Sequence, residues 1–307
     1  MPKYEDIGDF EGSRKARHWD REMIIPYFLL FRKGGKPIPQ SYKFWDHRFL
    51  MDYWHLKGWE FGNWTTQEDR LNYVCAMGIG LYDLKQILGF PKEFIGLKGM
   101  MGLAIGARGK GRALAHFEPW SWNINITRYQ AYGDSKGKMK LPIPDNPKLR
   151  HFLYTGGVGS FAHEYGHALD YWFGAYYDHG LTVALSAGDS LRTRTKRELL
   201  SKKTLRGITE KILDAIIWEK PGVYTSYYTT LKQRTRGEYW IRRNEIFARA
   251  FEQYITYKMA QQKMVNSFLS KEKYSSLVYM DPRLLKKVAP IFDQLITAMK
   301  RYIKTKK

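Results

Sequence analysis

The segment SFAHEYGHALD, Ser160 to Asp170, restricts the fold more than any other stretch of this chain. It has no proline, and up to Leu169 its only charge is Glu164. A helix of that composition cannot lie open on a surface, so other elements have to be built around it. Gly156-Gly157-Val158-Gly159 delivers the chain to it, and Asp178-His179-Gly180 offers a stop. The spacing predicts a helix from about Ser160 to Tyr177.

Four helical residues turn the side-chain direction by about 400 degrees, so His163 and His167 project from one face, one turn apart. Two imidazoles so placed can converge on one cation. Glu164 points in an adjacent direction, where a carboxylate can act as a general base without taking a coordination position. The alternative is a pair of core histidines satisfied by backbone carbonyls. Gly166 costs about 1 kcal/mol relative to alanine in a helix interior, which implies a neighbour in close contact. Asp170, one turn beyond His167, is placed either to orient a ligand imidazole or simply on a helix face.

A catalytic zinc site takes three protein ligands and leaves one position open. The metzincin spacing fails here, because Asp170 stands where its glycine should be and Phe173 where its third histidine should be. The third ligand must come from elsewhere. In NEIFARAFEQY, Glu245 and Glu252 are carboxylates among apolar neighbours, and either needs a partner such as a metal.

The rest of the chain supplies a setting. Lys and Arg number 51 against 30 Asp and Glu, a net charge of +21, which attracts nucleic acid, anionic surfaces or acidic partners. The single cysteine, Cys75, excludes an internal disulfide framework. The first twenty residues lack the apolar stretch of a signal peptide, and MIIPYFLLF, Met23 to Phe31, is too short to span a bilayer. A soluble, cytoplasmic protein with no membrane association is expected.

Residues 1–92 form a basic, aromatic-rich and mainly helical region, in which TTQEDRLNYVCAMGIGLYDLKQILG opens on a Thr65-x-x-Glu68 capping box. Trp45, Trp54, Trp59 and Trp64 read either as core or as a platform for stacked bases. Residues 93–307 form the second domain. In it GLAIGARGKGRALAHFEP and SWNINITR are β-compatible, with Trp122, Ile124 and Ile126 alternating against Asn123, Asn125 and Thr127. GARGKGR is not a phosphate loop, because Ala104 occupies the first glycine position and Gly111 the Ser/Thr position, so a charged turn is expected. His116 and Glu118 should share one face of a β-hairpin. Between residues 191 and 243 fourteen Lys or Arg face five acids, which reads as a basic helical insertion at about 190–240, either solvated or binding nucleic acid. Helices should follow over IRRNEIFARAFEQYITYKMAQQ and DPRLLKKVAPIFDQLITAMKRYI.

AHEYGHALD followed by RNEIFARAFEQYI resembles the gluzincin arrangement of the lethal-factor-like metalloproteases. SFAHEYGHALD preceded by GLAIGARGKGRALAHFEPWSWNINITR is closer to the zincin-like large polyvalent protein-associated domain of phage and conjugative-element proteins. DFEGSRKARHW near the start is similar to a Gly-Ala-Arg-Lys signature of the latter family. The resemblance implies an α+β zincin-like fold, with a small mixed sheet whose edge strand aligns a peptide above the active-site helix. It implies Zn2+ held by His163, His167 and Glu245 rather than Glu252, Glu164 as catalytic base, and a protein or peptide substrate. It also implies an origin in a virus or mobile element, with action in the cytoplasm, in a virion or in a host cell. An oxyanion-stabilising tyrosine is implied at Tyr227, from the run Thr225-Ser226-Tyr227; Tyr228 and Tyr239 remain alternatives because the basic segment separates this run from the ligand helix. The other function the composition allows is a nucleic-acid-associated protein that uses the same scaffold.

Overall fold

A computed structural model describes residues 32–62, 67–108, 115–126, 159–177, 184–186, 204–234, 238–271 and 274–305. The capping box at Thr65 and the DFEGSRKARHW segment lie outside these residues, as does Trp64. The fold class is α+β, as expected. The chain divides into two units, one of residues 1–161 with 259–271 and one of 162–258 with 272–307.

The first unit is organised around helix α2, Gln67–Leu88, which follows strand β1 (Arg32–Lys33), helix α1 (His47–Trp54) and strand β2 (Gly58–Phe61). Apolar residues surround the α2 axis, and nearly every described side chain from Tyr73 to Leu88 is buried, the expected fate of a helix without a polar face. Gly89, at φ +64, ends it in the left-handed conformation that glycine adopts freely. Asp83 is the charged exception. Its carboxylate accepts two hydrogen bonds from Arg32, each 2.8 Å, and one from Asn266 Nδ2 at 2.9 Å. Burial without such partners would cost several kcal/mol. Arg32 and Asn266 are paired residues of β1 and its antiparallel partner β8 (Val265–Asn266), so the ion pair fixes that two-stranded sheet to α2.

After the short helix α3 (Lys92–Ile95) come β3 (Gly102–Ile105), β4 (Ala115–Glu118) and β5 (Asn123–Ile126). The mixed sheet has the order β2-β3-β5-β4, parallel except for the β4–β5 pair. The expected strands are therefore present, but Trp122 lies just before β5, at φ +56, rather than in the alternation. The alternation also does not separate core from solvent, because all four residues of β5 are buried. Its asparagines are satisfied internally: Asn125 donates to the Arg108 carbonyl at 2.9 Å, and Asn123 to Ser121 Oγ at 3.1 Å. The charged turn expected at GARGKGR lies mostly outside the described residues; Arg108, at its start, forms ion pairs with Glu60 (2.7 Å) and Glu118 (2.6 Å). His116 and Glu118 share a face of the β4–β5 hairpin, with Nε2 and Oε1 3.3 Å apart. The tryptophans of this unit divide: Trp54 and Trp59 are core residues, Trp54 donating to the Tyr42 hydroxyl at 2.6 Å, so neither can serve as a base-stacking platform.

The second unit is helical, with α4 (Phe161–Tyr177), α5 (Leu205–Ile217), α6 (Ser226–Arg234), α7 (Arg243–Gln261) and α8 (Pro282–Thr305), plus the hairpin β6–β7 (Trp218–Lys220, Val223–Tyr224). Within the basic segment, α5 is a core element rather than a solvated one. Ile208, Ile212, Leu213 and Ile216 are buried, and α5 packs on α8. Helix α8 presents Val288, Phe292, Leu295 and Met299 on one face, and Phe292 stacks on Tyr254 at 5.0 Å.

A buried polar strap ties α4 to its neighbours. The segment Ala184-Leu185-Ser186 is held by Asp170, which accepts from Ser186 N (2.8 Å) and from its hydroxyl. The strap's carbonyls accept from Arg206 (Ala184, 2.9 Å) and Arg243 (Ser186, 2.8 Å), and both arginines pair with Glu210. Gly174 is what allows the approach: a Cβ there would stand 2.5 Å from Ala184 Cα. Gly174→Ala should therefore destabilise the protein by about 3 kcal/mol, as overpacking against backbone rather than a pliable side chain does. Urea denaturation measures this; unchanged or raised stability, the result helix propensity alone predicts, would contradict it.

Candidate metal centre

Helices α4 and α7 meet at Gly166. A Cβ there would lie 2.9 Å from Phe251 Cδ1, so Phe251 is the close neighbour that the glycine implied. This contact brings three candidate ligands together. His163 Nε2 lies 3.6 Å from Glu245 Oε2 and His167 Nε2 3.4 Å from Glu245 Oε1, and one donor atom of each residue lies within 4.8 Å of the others. Among the described residues this is where three metal-binding side chains converge.

The donors fit a cation on chemical grounds. Two neutral imidazoles and a carboxylate are the set that zinc takes in catalytic sites, with ligand distances near 2 Å that put neighbouring donors roughly 3.3 Å apart. Glu245 Oε2 is buried and has no hydrogen-bond partner, with His163 Nε2 at 3.6 Å and Arg249 Nη1 at 3.8 Å, which leaves a carboxylate oxygen with room for a closer positive charge. Burial opposes ionisation of Glu245, but His163 and His167, which face the carboxylate, outweigh it and hold the carboxyl well below the usual range. Burial likewise opposes protonation of His163, yet its contacts with Glu245 and Glu252 raise it to about 9. A proton on the His163 imidazole thus does part of what a cation would do.

Glu252, the rival third ligand, occupies a different position. Its Oε2 is 3.6 Å from His163 Nδ1, the nitrogen facing away from Glu245, and accepts from the Tyr279 hydroxyl at 2.8 Å. Seven residues beyond Glu245, two helical turns, it faces the same α4 histidine from the other side. A carboxylate on the far ring nitrogen fixes the tautomer and orientation of a ligand imidazole. Asp170, expected in that role, has hydrogen bonds to Ser186 and an electrostatic contact with His167. Burial pushes its carboxyl up to about 6 against those hydrogen bonds.

Glu164 is 5% exposed and interacts electrostatically with both His163 and Tyr239. The candidate tyrosines are separated by their surroundings. Tyr227 is buried, and its hydroxyl donates to the Val278 carbonyl at 3.0 Å. Tyr228 packs against Tyr224, with ring centroids 4.8 Å apart. Tyr239 is in hydrogen-bonding contact with Glu245, and the residue is 46% exposed, at the rim of the centre. Burial and the neighbouring Glu245 and Glu164 charges hold its hydroxyl in the protonated form. Arg249, which motif reasoning passed over, positions it: the buried guanidinium donates to the Trp240 carbonyl and lies 5.5 Å from the Trp240 ring centroid, anchoring the 3-10 turn Glu238–Ile241. The signal was present as a charge inside FARAFEQY, one turn after Glu245.

Two outcomes are expected. Because His163 carries a proton near neutral pH in the metal-free protein, zinc binding should release about one proton, read from calorimetry in buffers of different ionisation enthalpy. Buffer-independent enthalpy would contradict the assignment of His163 as ligand. Glu252→Gln should weaken zinc binding by about 10- to 100-fold without preventing it, measured against a competing chelator. Complete loss would make Glu252 a ligand, and an unchanged affinity would remove it from the centre.

Residues 231–303 match the family model of large polyvalent protein-associated domain 1, a span of 73 residues (303 − 231 + 1) in a chain of 307. The match contains Tyr239, Glu245, Arg249, Glu252 and Tyr279 but neither histidine. No curated protein and no solved structure matches the chain. Over the matched span the chain is similar to a large polyvalent protein-associated domain.

Proposed function

We propose that this protein is a gluzincin-type zinc metalloendopeptidase of phage or mobile-element origin. The observation that carries the reading is the convergence of His163, His167 and Glu245, with the general-base candidate Glu164 beside the first histidine. These three residues would hold the ion. When bound, zinc supplies Lewis acidity that lowers the pKa of water towards about 7 and polarises a carbonyl oxygen. Glu164 accepts the proton of the attacking water and returns it to the departing amine, which needs a carboxylate that is not itself a ligand. Its burial keeps the proton from bulk solvent.

Tyr239 is the better-placed electrophile. Its hydroxyl is protonated, lies beside Glu245, and can donate to the oxygen that gains negative charge as the carbonyl carbon becomes tetrahedral. Tyr227, with its hydroxyl committed to Val278, supports the fold of the 274–281 segment instead. A peptide is the substrate class this arrangement suits, because the amide needs a protonated leaving nitrogen as well as an activated water. Among the described residues no helix is long and apolar enough to cross a membrane.

Glu164→Gln should keep zinc and the fold while lowering casein hydrolysis by about 10²- to 10⁴-fold. Tyr239→Phe should lower kcat by about 10²-fold with KM little changed, whereas Tyr227→Phe should leave kcat within a few-fold of wild type. Full activity of Glu164→Gln with zinc bound would overturn the peptidase reading. A loss confined to Tyr227→Phe would reassign the electrophile.

A further inference from the structure

Many of the described large aromatic side chains are buried, but a group in the second unit is not. Residues 218–224, the β6–β7 hairpin with its turn, are exposed throughout. Trp218 and Tyr224 are cross-strand partners, and their rings stack with centroids 4.5 Å apart and planes inclined by 27°. Tyr228 of α6 continues the row at 4.8 Å from Tyr224, and Lys232 lies over it, its Nζ 4.8 Å from the Tyr224 centroid. The hairpin tip projects freely: at Gly222, φ +79, a Cβ would meet nothing within 4 Å.

The base of the hairpin is rigid. Thr225 donates through Oγ1 to the Ile216 carbonyl (2.6 Å) and through its amide to Ile217 (3.0 Å), and its hydroxyl accepts from Tyr228 N (3.2 Å). One residue thus joins the end of α5, the return of the hairpin and the start of α6, and the aromatic row is held before any partner arrives. Exposed aromatic surface held in place at no further ordering cost is the mark of a recognition surface rather than a folding residue.

The charge around the row chooses the partner. Lys220, next to Glu219, is on the hairpin and Lys232 is on the row itself, in a chain of net charge +21. Stacked rings flanked by lysines fit unstacked bases joined by phosphates. A duplex buries its base faces and offers the rings nothing to stack on, so the partner is single-stranded. We propose that the Trp218–Tyr224–Tyr228 row with Lys232 is a binding site for single-stranded nucleic acid, a base stacking on the Trp218 face turned away from Tyr224, Tyr224 holding that ring in place, and Lys220 and Lys232 meeting phosphates. The site needs neither the metal centre nor its catalytic reading.

Fluorescence anisotropy with labelled oligothymidine and oligouridine of about 15 nucleotides tests it on the full chain. At least one should bind, more tightly than a duplex of equal length. Trp218→Ala and Tyr224→Ala should each weaken binding by about 10-fold, and Trp218→Phe, which keeps a ring and controls for folding, should retain most of the affinity. Lys232→Gln should reduce the log–log salt slope by about 0.7. The proposal is overturned by absence of binding to both oligonucleotides, by unchanged affinity in both alanine variants, or by preference for the duplex. Capture of fluorescent casein by wild type but not Trp218→Ala, with no oligonucleotide bound, would assign the row to polypeptide and also overturn it.

Discussion

A carboxylate taken out of water loses several kcal/mol of hydration, and Glu245 recovers it chiefly by facing two histidines across the α4–α7 contact, with Arg249 and Tyr239 beside it. The rest of the second unit follows from that requirement. The imidazoles can face one carboxylate because they are one helical turn apart, and the helices can approach because Gly166 makes room for Phe251. Without a cation, His163 must hold a proton to satisfy Glu245, so charge neutrality at the centre is supplied either by protons or by metal.

Around this meeting the chain places polar groups that hold helices rather than react. The Asp170–Ser186 strap, closed by Arg206, Arg243 and Glu210, fixes α4 against α5 and against the residue two before Glu245. Glu252 and Tyr279 fix the outward ring nitrogen of His163, and Arg249 fixes the turn that carries Tyr239. Metal centres depend on such outer contacts for ligand orientation, so packing defects in these helices would disturb the proposed centre without touching a ligand.

The α4 helix, its two histidines and the two later helices were legible because a 3.6-residue period and clear stop signals leave little choice. The pair Glu245 and Glu252 was legible as carboxylates needing partners, but one-dimensional spacing cannot say which nitrogen of a histidine each will face. That depends on the crossing of α4 and α7. The strap was not legible at all, since Ala184-Leu185-Ser186 has no period or motif and acts only through Asp170, Arg206 and Arg243. The β5 alternation misled because asparagines can be buried on the polar face when Arg108 and Ser121 satisfy them. Trp54 and Trp218 have equal aromatic character in the sequence, and only burial separates the core residue from the surface one.

His163, His167 and Glu245 are proposed to share one ion. Metal content of the purified protein, wild type against Glu245→Ala, tests it most directly. One equivalent of zinc is expected in the wild type, falling well below one in the variant, with near-native circular dichroism in both. A wild type that takes up no zinc, or a variant with the same stoichiometry and affinity, would contradict it.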